Sequence, residues 1–137
     1  MFKSIIMELT LTKKTKIKEV KKQFAALFPF LKLEFFRHRH GQGESSILAH
    51  MFPESTPLSD VSDIMKAGTF VFDPATTVAA FEQQLQNKHG LPVQVFRKAG
   101  NLWLETVQTD NLTLARQNSM GEDSSKPVRF NRYTLFL

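Results

Sequence analysis

Thr77-Val-Ala-Ala-Phe-Glu-Gln-Gln-Leu-Gln-Asn-Lys-His-Gly-Leu-Pro-Val-Gln-Val-Phe-Arg97 contains a helix, its stop signal and a strand in one uninterrupted run. Thr77 is a good cap for the N–H groups that open a helix. Val78, Phe81 and Leu85 recur at helical spacing behind it, and His89-Gly90 closes the segment, since glycine takes the left-handed C-terminal position most easily. Leu91 to Arg97 then alternates as a strand. Working outward, Lys98-Ala-Gly-Asn is a hairpin turn and Leu102 to Val107 the returning strand. Thr69 to Phe72 is a strand before the helix. Thr113 to Asn118 is a short helix, Gly121 to Pro127 a flexible loop, and Val128 to Leu137 a closing strand.

The first half follows the same plan. Ser4 to Thr12 reads as a strand with Met7, Leu9 and Leu11 on one face. Thr15 to Phe28 is an amphipathic helix with Ile17, Val20, Phe24 and Leu27 as its stripe, ended near Pro29. Leu31 to His40 is a second strand, with Leu31, Leu33 and Phe35 on one face and Phe36 on the other. Residues 41–46 are a polar turn, and Pro53 to Ala67 is an acidic connector with one helical turn at Leu58 to Met65. Leu31-Lys-Leu-Glu-Phe-Phe-Arg37 aligns with Leu91-Pro-Val-Gln-Val-Phe-Arg97 at an offset of 60, and Ile17, Val20 and Phe24 align with Val78, Phe81 and Leu85 at an offset of 61. The expected organisation is an internal repeat of residues 1–67 and 68–137, packed as one compact domain.

Composition bounds the function. The chain has 137 residues, 42% hydrophobic and 23% charged, with 13 Phe, enough to build a packed core. It has no cysteine, which excludes disulfides, Cys-ligated metals and thiol catalysis. Glu8 interrupts the early apolar run before a signal core or membrane span can form, so a cytoplasmic protein without membrane contact is expected. The net charge of +5 is unevenly placed, because residues 1–40 hold 10 of the 18 Lys and Arg against three acids.

The C-terminal half resembles the ubiquitin-like β-grasp family in the order of its landmarks. Thr77-Val78 stands at the helix opening, Gly90-Leu91-Pro92 at its close, Val95-Phe96 in the central strand, Ala99-Gly100 in the turn, and Thr113-Leu114 with Gln117-Asn118 in the short helix. The resemblance implies an α+β fold of β-grasp architecture, with helices packed on a mixed sheet, and a sheet face used for docking. Thr56-Pro-Leu-Ser-Asp-Val61 stands where the first half would carry its own Thr-Leu turn. The sequence closes on Tyr-Thr-Leu-Phe-Leu instead of the Gly-Gly of conjugated modifiers, so conjugation is not expected. One strand precedes the second helix where the family has a hairpin, and the missing partner is expected from the N-terminal half.

Chemistry-bearing patterns are sparse. His38 and His40 lie two apart on a strand and share a face, but a metal site needs a third ligand from His50 or His89, and no His-Glu-x-x-His spacing is present. No serine sits in a nucleophile elbow, Gly41-x-Gly43 lacks the rest of a dinucleotide fingerprint, and the acid pairs Asp60/Asp63 and Glu122/Asp123 lie in polar loops. No catalytic residue and no cofactor are assigned. The expected function is a noncatalytic protein-interaction module, for an unidentified partner or a second copy, using Phe36, Phe96 and Trp103 with Arg37 and Arg97 at the rim; where the other half of the chain covers this sheet face, the same aromatic residues are core instead. The alternative is nucleic-acid binding through Lys13, Lys14, Lys16, Lys18, Lys21 and Lys22, with Phe36 or Trp103 stacking on a base. A small enzyme with a site between the halves is the third reading.

Overall fold

The computed structural model describes residues 5–37 and 51–126. In chain order these form β1 (Met7–Leu11), α1 (Ile17–Leu27), β2 (Leu31–Phe35), α2 (Leu58–Val61), β3 (Gly68–Phe72), α3 (Val78–His89), β4 (Val93–Ala99), β5 (Leu102–Glu105), a 3-10 turn at Val107–Thr109, and α4 (Leu114–Ser125). The fold is α+β, with four helices and two antiparallel sheets among the described residues, ordered β1-β3 and β2-β4-β5. The closing strand expected at Val128 to Leu137 and the turn at 41–46 lie outside those residues.

The helices start as their sequences dictate. Ala80 N–H donates to Thr77 Oγ1 at 3.1 Å and Arg116 N–H to Thr113 Oγ1 at 3.0 Å, so threonine caps α3 and α4. Gly90 ends α3 at φ 67°, and an added Cβ would stand 2.5 Å from the Ile64 carbonyl oxygen, so both conformation and space select glycine. The remaining N-terminal amides are satisfied by a device that occurs twice. In the first half, Ile17 and Lys18 N–H donate to the Thr56 and Glu54 carbonyls, while Leu58 and Ser59 N–H donate to Thr15 and Lys13. In the second, Val78 and Ala79 donate to Leu112 and Asp110, while Leu114 and Ala115 donate to Thr76 and Pro74. Each pair of helices thus caps itself on the other's leading segment, which answers the problem of unpaired amides at a helix start.

Strand pairing joins the halves. β1 pairs with β3 around Leu9↔Phe70, so β3 does take its partner from the N-terminal half. β2 pairs with β4, with Glu34 opposite Gln94. Leu9 and Phe70 are related by the offset of 61, and Glu34 and Gln94 by the offset of 60. Strands separated by these offsets therefore lie antiparallel against each other.

The core is continuous across residues 67 and 68. Leu9, Leu11, Val20, Phe24, Leu33, Phe70, Phe72, Phe81, Val95 and Leu114 belong to one buried cluster. Phe81 lies at its centre, with ring centroids 5.3 Å from Phe24, 5.5 Å from Phe70 and 5.0 Å from Phe72.

The C-terminal helix corrects one expectation. Residues 121–125, read as loop, continue α4. Asn118 Oδ1 accepts from Phe30 N–H, Ser124 Oγ donates to the Lys98 carbonyl, and Gly121 lies so close to Phe30 that a Cβ would approach it to 2.9 Å. Tertiary contacts hold a segment whose glycine and serines are poor helix formers.

Candidate interaction surface beside β5

β4 and β5 are joined by Gly100-Asn101, with Gly100 at φ 60° as a tight hairpin requires. Period-two alternation gives this sheet two distinct faces. On one face the register sets Lys32 beside Phe96 and Lys98 beside Trp103. Lys32 Nζ lies 5.5 Å from the Phe96 ring and 5.0 Å from the Trp103 ring, Lys98 Nζ lies 5.6 Å from Trp103, and Lys32 Nζ is 3.5 Å from Glu34. Lysines thus cover the aromatic rings on this face.

The other face carries Arg97, Leu102 and Leu104, and α4 packs over β4. Arg97 Nη1 donates to Gln117 Oε1 at 2.9 Å and reaches Met120 Sδ at 3.6 Å. Gln117 is fully buried and is itself fixed by donating Nε2 to the Thr109 carbonyl and Oγ1. α4 does not extend over β5, so Leu102 and Leu104 remain 67% and 43% exposed, with Val107 at 53%. Arg97, Leu104, Glu105, Val107, Gln108 and Thr109 line a cleft of about 460 Å³ at this edge. Among the described residues, β5 pairs with β4 alone, and no carboxylate forms an ion pair with Arg97.

Below the hairpin, β4 continues past the end of β5, and side chains take over its backbone groups. Val95 N–H donates to Glu82 Oε2 at 2.7 Å, and its carbonyl accepts from Thr106 Oγ1 at 2.9 Å. Burial pushes the Glu82 carboxyl up to about 7, against the pull of the Val95 hydrogen bond and with added repulsion from Asp110. The first half places Lys21 at the matching helix position. Its Nζ lies 2.7 Å from both Glu34 and Glu54. Burial works against the Lys21 charge, but the two carboxylates outweigh it and raise its pKa, while Lys21 lowers that of Glu54.

The residues picked out from sequence are distributed unevenly over this structure. Phe36 and Phe96 are buried, at 2% and 8% exposure, the core outcome of the two expected for this sheet face. Trp103 is half-buried. Arg37 is exposed and stacks 4.6 Å over Phe52, well apart in sequence from the Arg97 cleft. Lys13, Lys14, Lys16, Lys18 and Lys22 are exposed, whereas Lys21 is taken up by its ion pairs. His38, His40 and His50 lie outside the described residues. His89 is buried, with Nδ1 2.8 Å from the Lys66 carbonyl and its ring edge-on to Phe70.

Sequence reasoning missed Lys32, Lys98, Leu102, Leu104 and Val107. The first two were accessible, because alternation alone sets Lys32 apart from Leu31 and Leu33, and Lys98 with Phe96. The exposure of Leu102 and Leu104 was not, because it depends on how far α4 reaches. Among the described residues there is no grouping of three metal-ligating side chains and no helix long and apolar enough to cross a membrane. No family model, curated protein or solved structure matches the chain.

Proposed function

We propose that this chain is a noncatalytic protein-interaction module of two β-grasp-like units, and that it docks an extended segment of a partner along β5. The observation that carries the reading is the edge of β5, which among the described residues pairs with β4 alone and carries exposed Leu102 and Leu104 beside Val107 and a cleft. A strand edge offers unpaired N–H and C=O groups to an incoming strand, and adjacent pockets select its side chains. The twice-built helix clamp and the two pairings of corresponding strands support the duplicated β-grasp reading. Phe96 and Trp103 then serve as the packed underside of the docking strand, shielded by Lys32 and Lys98.

Selection of displayed random peptides on the full chain tests this, with Leu104→Asp as the counter-selection target. Leu104 is exposed, so the variant should keep its far-ultraviolet circular dichroism. Peptides rich in β-branched residues should be enriched on the native chain and lost on the variant. No enrichment, or equal enrichment on both, would refute the reading.

Five exposed lysines around the start of α1, Lys13, Lys14, Lys16, Lys18 and Lys22, favour a second reading as a nucleic-acid binder, because no described carboxylate pairs with them. Fluorescence anisotropy of a labelled single strand at about 50 and about 200 mM salt decides it, since phosphate contacts weaken by orders of magnitude over that range. Binding that collapses at the higher salt and on Lys18→Glu/Lys22→Glu would support it. Silence at the lower salt would remove it.

A further inference from the structure

We infer that the cleft beside β5 recognises a partner peptide carrying an aromatic side chain and a carboxylate two residues apart, the ring filling the cleft and the carboxylate pairing with Arg97. This rests on the docking role of β5. Three observations lead to it.

The first is charge. An arginine presents five N–H donors in a fixed fork, and Arg97 commits Nη1 to Gln117 and Met120 while no described carboxylate pairs with it. Because buried Gln117 is itself anchored on Thr109, the guanidinium is held in place before any ligand arrives. A planar fork held in this way suits a carboxylate. Glu105 stands at the rim, so the incoming carboxylate belongs on the Arg97 side.

The second is a comparison between the halves. Arg37 corresponds to Arg97, and it stacks on Phe52 with 4.6 Å to the ring centroid. Phe52 precedes Glu54 by two residues, and the Glu54 carbonyl accepts from the second residue of α1. Gln108 precedes Asp110 by the same two residues, and the Asp110 carbonyl accepts from the second residue of α3. Gln108 therefore stands where the first half has its ring, and Gln108 lines the cleft. The second half retains the arginine and lacks the aromatic partner that the first half supplies internally.

The third is the rim. Leu104 and Val107, both exposed, give the cleft apolar walls suited to a ring. In a strand added to β5, residues two apart point the same way, which brings a ring and an acid to this side together.

The probe is acetyl-Thr-Val-Phe-Thr-Glu-Val-amide, with analogues in which Phe becomes Ala or Glu becomes Gln, titrated into the 15N-labelled full chain. The parent peptide should shift the amides of Leu102 to Glu105 and Val107 to Thr109. It should bind about tenfold or more tightly than the Gln analogue, the scale of a hydrogen bond to a charged group. That margin should disappear in Arg97→Met and shrink in Arg97→Lys, which keeps the charge but loses the fork. Gln108→Phe, on an exposed position, should restore the internal stack and abolish binding while the chain stays folded. If parent and analogues shift β5 equally, or if Gln108→Phe binds like the native chain, the cleft assignment is overturned while β5 docking survives. If neither these peptides nor selected ones move β5 amides, the docking reading falls and the cleft assignment with it.

Discussion

Glu82 and Lys21 occupy matching positions on α3 and α1 yet carry opposite charges, and each has its own pH signature. Glu82 is a half-buried carboxyl whose pKa rises from 4.5 to about 7 on folding. Below pH about 4.5 it is protonated in both folded and unfolded chains and costs nothing. As pH rises toward 7 the unfolded chain ionises first, so stability falls, and above 7 the loss is complete. At 1.36 kcal/mol per unit, the full loss is on the order of 3 kcal/mol. Glu82→Gln keeps an acceptor for Val95 N–H and should stabilise the protein at pH 8 by up to about that amount, with little effect at pH 4.5. Urea unfolding of both proteins at the two pH values gives the comparison, and an equal difference at both would show that Glu82 is not titrating in this window.

Lys21 is the converse case, a cation held between carboxylates. Glu34 is buried, so Lys21→Met leaves it without its closest partner and should cost about 2 kcal/mol, allowing for Lys32 nearby. Glu54 is 63% exposed, so Glu54→Gln should cost less than about 1 kcal/mol. Equal losses in chemical denaturation would contradict this ordering.

Among the elements, α4 shows most clearly where local preference yields to tertiary contact. Glycine inside a helix ordinarily costs about 1 kcal/mol relative to alanine, so Gly121→Ala would stabilise a free helix. Here the added Cβ meets Phe30 at 2.9 Å and the Arg97 stem at 3.2 Å. The substitution should therefore destabilise by about 1–3 kcal/mol, the usual range for overpacking, and lower the melting temperature. A higher melting temperature would mean that Phe30 gives way freely. The same contact holds Arg97 beneath α4, so this glycine also positions the cleft floor.

Across the whole molecule, each half lends the other its strand partners. β1 pairs with β3 and β2 with β4, while Phe24, Phe70, Phe72 and Phe81 meet in one cluster. Separated fragments 1–67 and 68–137 should each lack native structure and regain it on mixing, as followed by circular dichroism. Independent folding of either fragment would show that its unpaired edges are tolerated. Phe81→Ala should cost about 3–5 kcal/mol and lower the unfolding midpoint reported from both halves in one transition; two separate transitions would contradict a shared core.

Local periodicity determined which segments are strands and helices. Leu9 and Leu11 alternate, Ile17, Val20 and Phe24 recur at helical spacing, and Thr77, Thr113 and Gly90 mark ends through their own side chains or the lack of one. Tertiary structure decided the rest, since strand pairing joins segments some sixty residues apart that no period of two or 3.6 can match. It buried Phe36 and Phe96, extended α4 through Gly121, set Arg97 on the middle strand under α4, and left Leu102 and Leu104 exposed on β5, which among the described residues pairs with β4 alone. Alternation tells which residues share a face, but exposure depends on what the remainder of the chain lays over that face.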